Sequence, residues 1–301
     1  MSSEAETAAD VCCANCGAAE IDDIKLEECG GCDLVKYCSD KCREEHREQH
    51  EEECKKRKAE LHDNELFTQP GCTHHGECPI CFLPLPIDRS KSIFWSCCSN
   101  VICNGCDYAN FISNKHDKTK VRSCAFCREP ANDVENDNRM MKRVKANDPA
   151  AMRSMGRTCY DKGDLKSAIE YWSKATNFGD SHAHYELGFT YMKGEGVEED
   201  MKKAAYHFEK AAIGGHPEAR HALACIEWEN GNIDRAVKHH IIAANLGFDK
   251  SMKGLWKHYS FGNITKEDLE GTLRTHKAAV DATKSSQRDA AEVQKKLLYR
   301  R

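Results

Sequence analysis

No stretch of this 301-residue chain approaches the ~20 consecutive apolar residues that a membrane-spanning helix needs, so no membrane partner is expected. No apolar run near Met1 is long enough for a signal peptide, so no secretory signal is expected. The opening MSSEAETAAD is polar and acidic, which points to a reducing compartment, cytoplasmic or nuclear. An excess of positive charge is lacking as well. The net charge is −5, and residues 1–62 carry 17 Asp and Glu against 9 Lys and Arg. That balance repels phosphate and excludes nucleic acid as the expected partner, which leaves proteins. Cysteine nearly disappears from the second half. Of 19, seventeen lie between Cys12 and Cys127 and only Cys159 and Cys225 follow. The length suggests about two domains, and the cysteines divide the chain into two kinds of protein joined end to end. In a reducing compartment dense cysteine pairs serve as metal ligands more often than as disulfides, and zinc is the expected cofactor.

The first cysteine-rich segment reads Cys13-x2-Cys16, Cys29-x2-Cys32, Cys38-x3-Cys42 and His50-x3-Cys54. A Cys-x2-Cys turn directs two thiolates at one metal, and a His and Cys four residues apart share one face of a helical turn. SDKCREEHREQHEEEC has the Ser39 cap and the polar composition of such a helix. Eight ligands make two tetrahedral sites. Cys12 competes with Cys13, but only Cys13 has the two-residue spacer to Cys16.

The run YCSDKCREEHREQHEEEC resembles the MYND finger, over residues 12–54. The resemblance implies an interleaved order: Cys13, Cys16, Cys38 and Cys42 on one zinc, and Cys29, Cys32, His50 and Cys54 on the other. His46 matches a family position that is not a ligand. With all four positions on each metal taken by protein, no bound water remains to be activated, so the module is structural. The family binds short, often proline-containing peptides.

After a charged helix and linker at residues 55–73, a second segment spans residues 74–130. It offers Cys78-x2-Cys81, the doublet Cys97-Cys98, Cys103-x2-Cys106 and Cys124-x2-Cys127. CPICFLPLPIDRSKSIFWSCC…VICNGC…CAFCR resembles a RING finger, and most of all the all-cysteine RING of the Not-type ubiquitin ligase. Asn100 stands near the place of the usual RING histidine. In the all-cysteine variant a cysteine five residues before the next ligand replaces that histidine, and here this is Cys98. The resemblance implies Cys78, Cys81, Cys103 and Cys106 on one zinc and Cys97, Cys98, Cys124 and Cys127 on the other, for a total of four ions. Adjacent residues converge on one metal only where the backbone turns tightly. His74, His75 or a water is therefore the alternative to one member of the doublet.

Few large apolar side chains lie between residues 70 and 130, and small domains of that composition need staples. Structural zinc supplies about 10–16 kcal/mol of coupled folding free energy. A RING ligase has no nucleophile of its own. It docks a ubiquitin-charged conjugating enzyme and positions the thioester. The resemblance assigns the docking contact to Ile80, with Phe111 and Ile112 as a second apolar contact, and the linchpin cation to Arg128. The bland reading has Ile80 packing on its own zinc loop and Arg128 as a solvated charge. Ala125 stands where many active RINGs carry proline.

From about Asn147 the chain repeats itself. AIEYWSKATNFGD, AAYHFEKAAIGGH and AVKHHIIAANLGF align, with Ala168, Ala204 and Ala236 equivalent at steps of 36 and 32 residues. Ala175, Ala211 and Ala243 keep those steps, as do Gly179, Gly215 and Gly247. The preceding helices align at Ala151, Ala183, Ala219 and Ser251. Small residues at such positions let paired helices approach closely, and the glycine ends each second helix. The GEGV loop and the A-x3-[WF]-x2-A-x3-G helix resemble Sel-one-like repeats, relatives of the tetratricopeptide fold, over residues 147–262.

The expected fold is thus mainly α: a solenoid of Sel-one-like, TPR-like helical repeats preceded by two small zinc-stabilised cross-brace modules. Solenoids of this kind present a surface to protein partners. Tyr160, Tyr191, His184 and His221 are candidates for that surface, although aromatics at helical spacing more often pack in cores. The pairs His182/His184 and His239/His240 read as surface histidines, since no further ligand stands at a fixed spacing. Residues 263–301 read as a capping helix that begins near Thr265 and frays into a basic tail. The expected function is a zinc-binding adaptor: a RING that recruits a conjugating enzyme, with solenoid and MYND finger holding peptide or substrate proteins. The alternative is a non-enzymatic scaffold. A chromatin adaptor has no basic surface to support it.

Overall fold

The computed structural model describes residues 12–20, 24–115, 122–131 and 133–298. The chain forms two compact units that meet in sequence at Thr68 and Gln69. In the first unit, strands β1 (Glu27–Glu28) and β2 (Lys36–Tyr37) pair antiparallel, and helices α1 (Asp40–Glu45) and α2 (Arg47–Leu66) follow. Ser39 caps α1 by accepting from the Cys42 amide. A small cluster of Cys13, Leu26, Tyr37 and Cys42 is the only apolar centre described there, so the sulfurs themselves form much of the core. α2 is one continuous helix from the ligand segment through the charged linker stretch. Its polar composition leaves only His50 and Leu66 buried.

The second unit begins with a hairpin of β3 (Ser92–Trp95) and β4 (Asn100–Cys103), followed by α3 (Asn104–Lys115). Cys78, Leu85, Trp95, Ile102, Cys103, Cys106, Cys124 and Ala125 make its core. α4 (Asp133–Lys145) then leads into the helix pairs. These are α5 (Pro149–Asp161) with α6 (Leu165–Thr176), α7 (Ser181–Lys193) with α8 (Met201–Ile213), and α9 (Pro217–Glu229) with α10 (Ile233–Asn245). α11 (Asp249–Ser260) and α12 (Lys266–Ala282) close the stack, and α13 (Ser286–Leu298) follows.

The repeated small residues occupy the positions their spacing implies. Ala168, Ala204 and Ala236, Ala175, Ala211 and Ala243, and Ala151, Ala183, Ala219 and Ser251 are all fully buried. Gly179, Gly215 and Gly247 have φ of 76°, 80° and 91°, the left-handed conformation that stops each second helix at low cost. Asp148, Asp164, Asp180 and Asp200 accept backbone N–H bonds at successive helix starts.

Within a pair, a bulky side chain of the second helix rests on a glycine of the first. Trp172 lies over Gly156 and Phe208 over Gly188. In the third pair the equivalent positions are His240 and Ala224. This corrects the reading of the histidine pairs as surface groups. His239 and His240 are buried, because His240 replaces a core aromatic of the repeat, and His182 is buried as well. Through Leu298 the C-terminal segment is helical: α13 packs on α3, and buried Arg288 donates to the carbonyls of Leu83, Pro84 and Thr283, while the basic end at 299–301 lies outside the described residues.

Two expectations follow. Gly188→Ala would place a Cβ 2.7 Å from the Phe208 ring, so overpacking should cost about 1–3 kcal/mol, read as a lower denaturation midpoint with helicity retained. Burial first, and nearby Arg220 or His221 next, lower His239 and His240 to about 3. A histidine kept neutral in the fold contributes stability above its unfolded pKa of about 6.5, and that contribution is lost as pH falls below it. Chelated protein should therefore lose up to about 1.4 kcal/mol per pH unit per histidine below pH ~6.5, down toward the folded values. A His239→Gln/His240→Gln double variant should show a shallower fall in thermal melts over the same range.

Candidate metal centres

Four cysteine-bearing groups of donor atoms form in the described residues, each with its ligand atoms within 4.8 Å of one another. They are Cys13, Cys16, Cys38 and Cys42; Cys29, Cys32, His50 and Cys54; Cys78, Cys81, Cys103 and Cys106; and Cys97, Cys98, Cys124 and Cys127. All sixteen residues expected from the sequence are brought together in the expected sets. Cys12 is exposed and outside the first group, and His46 instead bonds the Tyr37 hydroxyl through Nδ1 at 3.0 Å.

The spacings fit a metal and not a disulfide. Sulfur–sulfur distances are 3.6 Å for Cys16–Cys38, 3.7 Å for Cys29–Cys54, 3.8 Å for Cys81–Cys103 and 3.7 Å for Cys98–Cys124. A tetrahedron of sulfurs about 2.3 Å from zinc has edges of about 3.8 Å. His50 Nε2 lies 3.2 Å from Cys32 Sγ, and every cysteine is a free thiol. Thiolate donors with at most one imidazole are the set that zinc takes in closed structural sites.

Each group holds a thiol poised for the anionic form. Cys78 is lowered to about 4 by the thiol hydrogen bond from Cys103, which outweighs burial. At Cys13 burial pulls upward, but amide bonds from Cys16, Cys38 and Asn15 outweigh it and bring the thiol to about 6. Neighbouring thiols are pushed the other way. Cys38 rises to about 12, chiefly through the Cys16 thiol. Adjacent thiolates cannot all ionise without a cation between them, so zinc uptake expels protons and weakens as pH falls.

The Cys97–Cys98 doublet closes because it occupies a hairpin tip. Trp95 and Asn100 are the last paired residues, and the Cys98 amide donates to the Trp95 carbonyl at 3.3 Å. Ser99 has φ of 53°, which turns the chain sharply enough for both sulfurs to face Cys124 and Cys127. Asn100 begins β4 and is no ligand. Arg143 of α4 donates Nε and Nη2 to the Cys97 carbonyl, both at 3.2 Å, and so holds the tip. His74 belongs elsewhere: it lies beside His182 and His216, so it does not complete this group. No spacing pattern signals that meeting, because the three residues are over a hundred positions apart in sequence from first to last.

Around the second module Ile80 is 36 % exposed and Phe111 47 % exposed. Arg128 is exposed at φ 64°, its Nη1 donating to Asn110 Oδ1 at 2.6 Å. Ile112 is half-buried. Between residues 69–91 and the helices runs a groove of about 1140 Å³ lined by Tyr160, Trp172, Tyr185, Phe189 and Phe248 among others. Of the four surface candidates only Tyr160 lines it. Tyr191 stacks on His207, His184 bonds His207 at 3.0 Å, and His221 bonds Ser251.

Replacing either Cys97 or Cys98 by serine should lower the zinc content by one ion, since a three-ligand site without a substitute is weak. Native mass spectrometry of the two variants measures this, and an unchanged ion count for Cys97→Ser would remove it from the set.

The MYND finger family model matches residues 13–54, and the Sel1 repeat model matches residues 149–179, 181–216 and 217–248. The second cysteine-rich module lies outside both matches. No curated protein matches the chain. Among solved structures, a Sel1 repeat protein from Oxalobacter formigenes is 21% identical, with 59% of this chain and 74% of that one covered at a TM-score of 0.44. A protective antigen present in uropathogenic Escherichia coli strains, displaying an SLR fold, is 26% identical over 49% of this chain and 33% of its own, at a TM-score of 0.41. The chain thus joins a MYND-type finger and a second cysteine cross-brace to a Sel1-repeat solenoid, an architecture that binds zinc and supports protein interaction.

Proposed function

We propose that this protein is a RING-type ubiquitin ligase in which the sixteen residues above hold four zinc ions and the repeats and MYND finger recruit substrates. The observation that carries this reading is the interleaved pair of thiolate groups around the β3–β4 hairpin and α3, with Ile80, Phe111 and Arg128 left on the outside. Zinc supplies the fold and takes no part in transfer, because every ligand position is a protein side chain. Ile80 and Phe111 offer apolar surface to a conjugating enzyme. Arg128, on a left-handed backbone turn and braced by Asn110, presents a planar fork that bonds carbonyls of two partners at once. Catalysis is positioning of the charged thioester. The expected location is the cytoplasm or nucleus.

A non-enzymatic scaffold has its own supporting observation. α13 packs on α3, and Arg288 reaches the first zinc loop with its guanidinium 3.5 Å from Cys81 Sγ. In that reading part of the module's outer surface already serves an internal contact.

An autoubiquitination assay with activating enzyme and a panel of conjugating enzymes separates the two. The ligase yields ubiquitin chains, and Arg128→Ala removes most of that activity with all zinc retained. Ile80→Ala weakens conjugating-enzyme binding, through loss of a desolvated apolar contact. Folded, zinc-loaded protein inert with every conjugating enzyme establishes the scaffold.

A further inference from the structure

A fifth cluster of metal-ligating side chains lies apart from the thiolates. His74 comes from the segment leading into the second cross-brace module, His182 from the first turn of α7, and His216 from the N-cap of α9. His182 Nδ1 is 3.2 Å from His74 Nε2 and 2.8 Å from His216 Nε2, and the three ligand atoms all fall within 4.8 Å. His182 and His216 are buried, and the rings of His74 and His216 stack with centroids 3.8 Å apart.

Three neutral imidazoles cannot satisfy one another in this arrangement. His182 Nδ1 has a single in-plane lone pair or a single proton, yet it faces His74 Nε2 and His216 Nε2, with Arg89 Nη2 a third nitrogen at 3.3 Å. If His216 Nε2–H donates to it, His74 Nε2 meets an acceptor already used. Burial holds all three rings well below the usual histidine range, so extra protons do not resolve the contact. One divalent cation would accept all three lone pairs together.

The outer nitrogens are arranged for that. His182 Nε2 lies 3.2 Å from Glu186 Oε1, and His216 Nδ1 lies 3.2 Å from Glu218 Oε2, a buried oxygen with no hydrogen-bond partner. Metal on the inner nitrogens leaves protons on the outer ones, which then donate to these carboxylates. Carboxylates placed behind histidine ligands fix the tautomer and raise ligand basicity. His216 Nδ1 otherwise accepts the Ala219 amide at 3.3 Å, a helix cap that the bound tautomer exchanges for the Glu218 bond. Arg89 Nη2 donates to His182 Nε2 and lies 3.3 Å from Nδ1, so the bound tautomer requires the guanidinium to move onto Glu186, whose Oε1 is already 3.6 Å from Arg89 Nη1.

We propose that His74, His182 and His216 form a further metal site for a borderline divalent first-row cation, zinc by donor type, with a water or small anion as fourth ligand. A cavity of about 200 Å³ lined by His74, His75, Arg153, Asp180 and His182 leaves room for that ligand. The site clips the segment before the second cross-brace module to the solenoid, where the His74 amide already donates to the Gly215 carbonyl at 3.0 Å. It holds whether or not the module transfers ubiquitin.

Cobalt(II) reconstitution of the full chain tests it, followed by native mass spectrometry and absorption. Thiolate-bound cobalt shows sulfur-to-metal charge transfer, and a three-imidazole site does not. The wild-type chain should bind one ion beyond those that saturate the charge-transfer band. His182→Gln should lose that one ion and leave the band unchanged. Glu186→Gln keeps every ligand and should weaken the same ion by about 10- to 100-fold. Saturation without the extra ion, or an extra ion retained in His182→Gln, overturns the proposal. Should His182→Gln lose helicity, the Glu186→Gln titration decides: unchanged affinity rejects the site.

Discussion

Donor atoms held at contact distance repel until a cation neutralises them, and both cross-brace modules are built around that constraint. In the first module the apolar cluster is little more than Leu26 and Tyr37 around two cysteines. In the second, four of the eight core residues are cysteines. Cores of this size bury too little apolar surface to offset the entropy of ordering the chain. Interleaving solves a second problem. Each metal joins sequence-distant pairs, so Cys81 and Cys103, and Cys98 and Cys124, are fixed together across the β3–β4 hairpin.

The solenoid obeys a different rule. Its helices need no metal for their packing, because alanine at the repeated positions lets them approach and, in the first two pairs, a glycine accommodates one large ring. Trp172 over Gly156 and Phe208 over Gly188 are the same contact made twice. In the third pair an imidazole takes the ring's place and brings a titratable group into the core, which ties the stability of that pair to pH.

Within the second unit the cross-brace module and the repeats are tied at several points. Arg143 reaches the Cys97 carbonyl, Arg288 binds the first zinc loop, and residues 69–91 form one wall of a groove against α5, α7 and α12. Part of the surface offered by the helices is therefore covered by the chain itself. The groove surface is a composite of repeat helices and module with Tyr160 in its lining, whereas Tyr191 and His184 pair with His207.

The sequence by itself determined the ligand pairs and the repeat, while the interleaving of those pairs into groups came from the resemblance to the MYND and RING fingers. Cys-x2-Cys spacing is local, so the turn that aims two sulfurs is encoded within four residues, and the 36- and 32-residue steps mark the same helix positions each time. It also contained the doublet's answer in outline, though only the hairpin, with its left-handed Ser99, showed why two adjacent sulfurs can share one centre. Tertiary structure alone decided what the histidines do and where the last helix goes. His74, His182 and His216 meet only because one segment folds back over the ends of α7 and α9, and α13 packs on α3 only because Arg288 finds carbonyls some two hundred positions earlier in the chain. Contacts of that kind have no period and no fixed spacing; they depend on which surfaces the assembled fold brings face to face.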